Sequence, residues 1–190
     1  MADWIDEINS ELHKKCPKLT FFIENDKKIG VMYKGDIEEE VSFIVLIEED
    51  KKLRIDLSET LVGTKNGFRV DFKQRQLNTC LRYIAGMIAS KSEQTLTSLA
   101  ISPISLYTML KLFRCKIEDF VRQTIIKDHP RTMDDCEKMI KKIPEILIET
   151  EPLNYAEMYA KLMETIPKIR CTDLGGTRKR KKVRHGTRYR

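Results

Sequence analysis

The fold is decided by residues 19–57, which read LTFFIENDKKIGVMYKGDIEEEVSFIVLIEEDKKLRIDL. Four segments of this stretch combine a period of two, or a short apolar run, with β-branched and aromatic residues, which predicts four strands. They are residues 19–24, 29–34, 41–48 and 52–57. The connections between them are short and rich in turn-forming residues, which favours an antiparallel meander. We expect residues 41–47 to be covered on both faces and residues 52–57 on one face.

The residues on either side of this stretch predict a helix before it and a hairpin after it. Residues 3–15 have apolar side chains at helical spacing on one face, and Cys16-Pro17 ends that pattern. These apolar residues are Trp4, Ile5, Ile8 and Leu12. Further along, Lys65-Asn66-Gly67 is typical of a tight hairpin turn, because Asn-Gly tolerates positive φ.

From Lys73 onward the apolar spacing becomes helical. The predicted helices are residues 77–90, 103–113, 117–125, 133–143 and 155–166. Three of them begin at capping sequences: Ser102-Pro103, Thr132-x-x-Asp135 and Asn154-x-x-Glu157. The predicted class is therefore α+β, with an N-terminal helix, an antiparallel meander of four to six strands and a helical C-terminal half. Residues 1–72 and 73–170 are expected to form one domain, followed by a flexible basic tail at 171–190.

This order of helix, four-strand meander and trailing helices resembles the ubiquitin-conjugating and related RWD-type folds over roughly residues 3–130. The resemblance is one of topology. The sequence has no His-Pro-Asn before a cysteine, and Cys80 falls inside a predicted helix. The thioester role that such a fold implies is therefore not assigned to Cys80.

The charge of the chain is divided unevenly between its body and its C-terminus. The chain has 35 Lys or Arg and 29 Asp or Glu, and eight of the basic residues lie within residues 178–190, which contain no acidic residue. Removing those eight leaves 27 basic against 29 acidic residues, a formal charge of −2 for the body. Such a cationic run cannot bury a core and is suited to a phosphate backbone.

We predict that the tail binds nucleic acid or another polyanion. The residues predicted to make these contacts are Arg178, Lys179, Arg180, Lys181, Lys182, Arg184, Arg188, Tyr189 and Arg190. The Tyr189 ring could stack on an unpaired base. Three other interpretations stay open for the same run: a nuclear-import signal, docking on anionic protein or lipid surfaces, and a solubilising end.

The start of the tail, Gly175-Gly176-Thr177-Arg178-Lys179-Arg180, resembles the C-terminal tails of many proteins of large nucleocytoplasmic DNA viruses, in particular the giant and algal viruses. The resemblance implies a viral protein, such as a minor capsid protein, that is packaged in the virion. It equally fits a protein that works in the virus factory of the host cytoplasm or in the nucleus.

Cysteine spacing and hydropathy argue against a disulfide-rich protein, a zinc-binding protein and a membrane-spanning protein. The five cysteines are scattered without any C-x-x-C pair, so we expect no disulfide and no zinc site, in a reducing compartment. Cys80 and Cys136 are expected to be small core residues. The longest apolar run is far shorter than the ~20 residues that a membrane span needs, so no membrane span is expected.

Candidate catalytic residues are few. Asp36, Glu49 and Lys51 match the Asp…Glu-x-Lys pattern of metal-dependent nucleases, but Glu49 falls in a predicted turn instead of a strand. Ser102 is explained as a helix cap and His129 as a helix-terminal residue. No phosphate-binding glycine motif occurs, and no cofactor or metal is predicted.

The last two predicted helices are rich in methionine and tyrosine: Met133, Met139, Met158, Met163, Tyr155 and Tyr159. These side chains form either part of the core or a protein-docking groove. The favoured interpretation is a non-enzymatic viral structural or accessory protein whose body docks on protein partners. The alternative is a degenerate or unrecognised enzyme fold, either nuclease-like or ubiquitin-conjugating-like.

Overall fold

A computed structural model describes residues 3–25, 27–65, 67–73, 75–117 and 130–171. The helices are α1 (Asp3–Lys15), α2 (Leu77–Lys91), α3 (Pro103–Leu112), α4 (Met133–Lys142) and α5 (Tyr155–Thr165), which runs into a 3-10 turn at Ile166–Lys168. The strands are β1 (Leu19–Glu24), β2 (Lys28–Lys34), β3 (Glu38–Glu49), β4 (Lys52–Thr60), β5 (Val62–Lys65), β6 (Phe68–Asp71), β7 (Thr95–Ala100), β8 (Cys115–Ile117) and β9 (Ile146–Thr150).

Seven strands form one sheet in the order β1-β2-β3-β4-β7-β9-β8. Every neighbouring pair is antiparallel except β4 and β7, which are parallel. The strands β5 and β6 form a separate antiparallel hairpin, at the position where the turn sequence predicted one. The α+β class, the N-terminal helix and the predicted meander are thereby confirmed.

The C-terminal half is not purely helical, because β7, β8 and β9 extend the sheet beyond the meander. None of these three strands was predicted from the sequence. They are three to six residues long and lie between segments with helical spacing. A short apolar run cannot be assigned to strand or helix from its period alone. The helix predicted at 117–125 does not begin at Ile117, which belongs to β8, and residues 118–125 lie outside the described ranges.

The helices pack on one face of the sheet. Side chains on that face, such as Ile44, Leu53 and Ile55, are at most 4% exposed, while their neighbours Phe43 and Val45 on the other face are only half-buried. The prediction that residues 41–47 are covered on both faces was therefore wrong. The single covered face predicted for 52–57 is confirmed, because Leu53 and Ile55 are buried while Asp56 is exposed.

The helix α2 lies at the centre of the core, where it packs on β2, β3, β4, β7 and α5. Cys80 in α2 and Cys136 in α4 are fully buried, which confirms them as core residues. The predicted caps are also present. Ser102 accepts a hydrogen bond from the Ser105 N–H at 3.2 Å, and Asn154 accepts one from the Glu157 N–H at 3.1 Å. Thr132 and Asp135 form a reciprocal capping box.

Cys16 and Cys171 form a disulfide, so the prediction that no cysteine pairs was wrong. Their Cα atoms lie 5.6 Å apart although 155 residues separate them in the sequence. Spacing rules detect cysteines that are close in sequence. Here the pairing depends on the fold, because the 3-10 turn after α5 packs against α1.

Candidate interaction surfaces

The three residues of the nuclease-like pattern do not come together. Asp36 precedes β3 and accepts a hydrogen bond from the Gly67 N–H at 2.8 Å, whereas Glu49 ends β3 and pairs with Arg54 at 3.1 Å. The twelve residues of β3 separate the two carboxylates by roughly 35 Å at the usual rise of a strand. Among the described residues, no group of three or more His, Cys, Asp or Glu side chains is arranged to hold a metal ion.

The cysteines outside the disulfide are not placed for nucleophilic chemistry. Cys80 is fully buried inside α2, so it cannot present a thioester at the surface. Burial raises the pKa of the Cys80 thiol well above its usual range and that of Cys115 to about 12. Because the thiolate is the reactive form, neither is activated near neutral pH. His129 lies outside the described residues.

Most of the methionine- and tyrosine-rich stripe faces inward. Met139 and Met158 are each 2% exposed, and Met163, Tyr155 and Tyr159 are half-buried against the core. Met133 at the start of α4 is 40% exposed. The core interpretation of this stripe therefore holds for all of these side chains except Met133.

Lys91, at the end of α2, lies between two aromatic rings. Its Nζ atom is 5.2 Å from the centre of the Trp4 ring and 4.7 Å from that of Tyr155. Tyr159 stacks on Tyr155, and its hydrogen bond to Glu7 raises the pKa of Tyr159 to about 12. This cluster joins α1, α2 and α5, so its contacts are within the protein.

A groove of about 970 Å³ opens beside this cluster, between α1, β1 and the end of α2. The buried side chains of Phe21, Leu46 and Leu53 line it, and Lys27 and Glu48 are among its polar residues. Its volume is that of a ligand pocket, which typically measures about 300–1,000 Å³. Two basic residues, Lys27 and Lys91, and two acidic residues, Asp6 and Glu48, line it, so their charges balance and give no preference for the charge of a ligand.

Several large apolar side chains are exposed near the end of β7. Ile101 is 67% exposed and Ile104 is 68% exposed, and Leu99 and Leu57 are exposed by 40% and 42%. The parallel register pairs Ile55 with Ser98, which places Leu57 of β4 near the same end of β7. We call Leu57, Leu99, Ile101 and Ile104 the apolar corner.

Arg82 on α2 is a buried cation that sequence analysis did not identify. It is 4% exposed, its Nε donates to Asn78 Oδ1 at 2.9 Å, and Asn78 donates in turn to Ser58. Within the described part of the chain its Nη1 atom has no hydrogen-bond partner, and burial lowers the pKa of Arg82 to about 10. This network ties α2 to β4 beneath the sheet.

The nine residues predicted to bind nucleic acid, Arg178, Lys179, Arg180, Lys181, Lys182, Arg184, Arg188, Tyr189 and Arg190, lie outside the described residues. The point from which the tail departs is described. Cys171 is held to the end of α1 by the disulfide, and the carbonyl of Arg170 accepts a hydrogen bond from Arg75 Nη1 at 2.6 Å. The tail therefore starts at a fixed position on the body.

None of the described helices is both long and apolar enough to cross a membrane. Comparison of the chain with protein-family models, with curated proteins and with solved structures gave no match. A function must therefore be inferred from the residues of this chain alone.

Proposed function

We propose that this chain is a non-enzymatic viral structural or accessory protein, whose basic tail binds nucleic acid and whose body docks on a protein partner. The observation that carries the proposal is the charge partition. Eight of 35 basic residues lie in the last thirteen positions, while the remaining chain has a formal charge of −2. A segment of this composition binds phosphates through release of their counterions.

The position of the tail supports this role. Cys171 is cross-linked to Cys16 at the end of α1, so the tail leaves the body at one defined place. Six residues lie between Cys171 and Arg178, so the two are at most about 25 Å apart along a fully extended chain. A nucleic acid that binds the tail is therefore brought to the surface of the body around this disulfide.

The apolar corner is the part of the described body best suited to a protein partner. Ile101 and Ile104 are each about two-thirds exposed, which is unusual for two isoleucines so close in sequence. Exposed apolar residues that cluster in this way mark protein-docking surfaces. A photo-reactive group placed at position 104 should cross-link to the partner, and Ile101→Asp should abolish that product.

The tail is tested by measuring binding to short duplexes of two unrelated sequences between about 50 and 200 mM salt. If five to eight phosphates are engaged, the log–log salt slope should be roughly −4 to −7, because each phosphate contributes about −0.9. Affinity should be the same for both sequences. A variant with Arg178, Arg180, Lys182 and Arg184 changed to Ser should bind both duplexes much more weakly.

The matched control replaces Lys179, Lys181 and Lys182 with Arg, which keeps the charge and should leave the slope unchanged. Binding by the serine variant with the affinity and slope of the wild type would show that the tail is not the nucleic-acid contact. Strong preference for one duplex would also contradict a contact made only to the backbone.

The viral assignment depends on the resemblance of Gly175-Gly176-Thr177-Arg178-Lys179-Arg180 to the tails of large DNA virus proteins. It places the protein in the virion, in the virus factory or in the nucleus of the host cell. Mass spectrometry of purified particles and of infected-cell fractions tests it. Recovery of the protein from uninfected cells would contradict it.

A further inference from the structure

The cross-link between Cys16 and Cys171 brings basic residues from both ends of the chain together. Lys14 and Lys15 form the last turn of α1, directly before Cys16. Lys168 and Arg170 directly precede Cys171, and the 3-10 turn that contains Lys168 packs against α1. All four side chains are exposed.

Two further lysines lie next to this cluster. The Lys34 N–H donates to the Lys18 carbonyl at 2.8 Å, and the Leu19 N–H donates to the Cys16 carbonyl at 3.0 Å. Lys34 is exposed and Lys18 is half-buried. We call these six residues the basic collar: Lys14, Lys15, Lys18, Lys34, Lys168 and Arg170.

The basic collar is cationic on a body that is slightly anionic. Four carboxylates lie next to its members in the described residues, one of them Asp36, two positions after Lys34. Glu11 pairs with Lys14, Glu38 lies opposite Lys34 in the sheet, and Glu164 is exposed at the end of α5. Six cations and four carboxylates give the collar a formal charge of +2, so the rest of residues 1–177 carries −4 against the −2 of the whole body. The positive charge of the body is therefore concentrated where the tail begins.

We propose that the basic collar is a second nucleic-acid contact, which binds the phosphate backbone of a duplex together with the tail. This inference rests on the proposed function of the tail. A duplex carries one charge per about 1.7 Å of its axis, so a surface with several neighbouring cations can contact several phosphates at once. Because the tail starts inside the collar, both contacts can engage one stretch of duplex.

Nucleic acid is the partner that this surface favours, because the collar lies where the tail begins and the tail has eight cations and no acidic residue in residues 178–190. Protein interfaces combine charge with a desolvated apolar centre, whereas phosphate contacts need only correctly spaced donors. The backbone that carries Lys14, Lys15 and Arg170 is held by α1, the disulfide and the Arg75–Arg170 hydrogen bond, so these residues are neighbours before binding.

The test uses the full chain with Lys14, Lys15, Lys168 and Arg170 all changed to Gln. If the four cations contact phosphates, the log–log salt slope on duplex should become less negative by roughly 2 to 4, since each lost contact removes about 0.9. The affinity should fall by the same factor on two unrelated duplexes. Circular dichroism and thermal melting establish that the variant is folded.

The control variant also loses four positive charges, because four other lysines are changed to Gln: Lys111, Lys138, Lys141 and Lys142. These lysines are exposed on α3 and α4, and α3 packs on the distant strands β7 and β9. The control should keep the slope and affinity of the wild type. Should the collar variant melt early, the pair Lys15→Gln and Lys168→Gln, both at exposed positions, should still change the slope by roughly 1 to 2.

The outcomes separate the two proposals. If the collar variant binds like the control while the serine variant of the tail does not bind, the proposed collar contact is wrong and the proposed tail contact stands. If the tail variant binds like the wild type while the collar variant binds more weakly, the proposed collar contact is supported and the proposed tail contact is wrong. A full chain that does not bind duplex at low salt overturns both. Equal weakening of the collar variant and the control overturns the collar, because only net charge would then matter.

Discussion

Asn9 on α1 completes the hydrogen bonding of Phe21 on the edge strand β1. The Phe21 N–H donates to Asn9 Oδ1 at 2.7 Å, and Asn9 Nδ2 donates to the Phe21 carbonyl at 2.9 Å. The side-chain amide thus takes the place of the next strand in the sheet. Because both backbone groups of Phe21 are already paired, a strand from another molecule cannot bind to the sheet edge at this residue. The same two hydrogen bonds hold α1 against β1.

Replacement of Asn9 with Ala should therefore destabilise the protein. Both backbone groups of Phe21 would lose their partner in a half-buried site, at a cost of about 1–3 kcal/mol. Urea denaturation followed by circular dichroism measures this loss. Ser10→Ala, one position further along α1 at an exposed site, is the control and should change the free energy of unfolding by less than about 0.5 kcal/mol. Equal stability of the two variants would contradict a structural role for this amide.

The sequence predicts the longer strands of the meander, such as β4, whose side chains alternate between core and solvent, and it does not predict β7, where polar side chains are buried. Leu53 and Ile55 alternate with Arg54 and Asp56, so β4 was predicted. In β7, Thr97 and Ser98 are each 2% exposed, because β4 and β9 flank that strand. A strand of Thr and Ser inside a sheet lacks the apolar pattern from which strands are predicted.

Ile44 tests the packing of the predicted central run. It is fully buried on β3, between Ile29 of β2 and Ser58 of β4. Ile44→Asp should prevent folding, because an unpaired buried charge costs several kcal/mol against a total stability of about 5–15 kcal/mol. Ile44→Val should cost only about 0.5–1.5 kcal/mol. Ile37→Asp, at a residue that is 64% exposed, should fold normally, and a folded Ile44→Asp protein would contradict this account of the core.

Glu49 tests the nuclease-like pattern. Its carboxylate pairs with Arg54 at 3.1 Å and lies at the far end of β3 from Asp36. We therefore expect no Mg²⁺- or Mn²⁺-dependent cleavage of single- or double-stranded DNA, and no difference between the wild type and Glu49→Ala. Cleavage that is lost in Glu49→Ala would favour the enzymatic alternative. Cleavage retained in that variant would point to a contaminant or to another site.

The candidate interaction surfaces were only partly predictable. The tail is visible as a run of charge within thirteen residues, but the basic collar is assembled from Lys14 and Lys15 at one end of the chain and Lys168 and Arg170 at the other. In the sequence, Lys14 and Lys15 are explained by the helix dipole alone. Only the pairing of Cys16 with Cys171 shows that these two basic pairs are neighbours.

The cross-link itself gives a thiol count that can be measured. Cys80, Cys115 and Cys136 are buried, and burial raises the pKa of all three thiols, so they should react slowly with a thiol reagent while the protein is folded. After denaturation without reductant, three thiols should react, and after reduction all five should react. Five reactive thiols in the non-reduced protein would show that Cys16 and Cys171 are not paired.

Reduction of the Cys16–Cys171 disulfide should lower stability, because the bond closes a loop of 155 residues. Loop-closure entropy sets an upper estimate of about 5 kcal/mol for a loop of this length, and measured losses fall between about 0 and 5 kcal/mol. The melting temperature of the wild type should therefore fall when reductant is added. Cys171→Ser should melt at the lower temperature with or without reductant, which separates loss of the cross-link from other effects of the reagent. A wild type whose melting temperature does not respond to reductant would contradict a stabilising role for the bond.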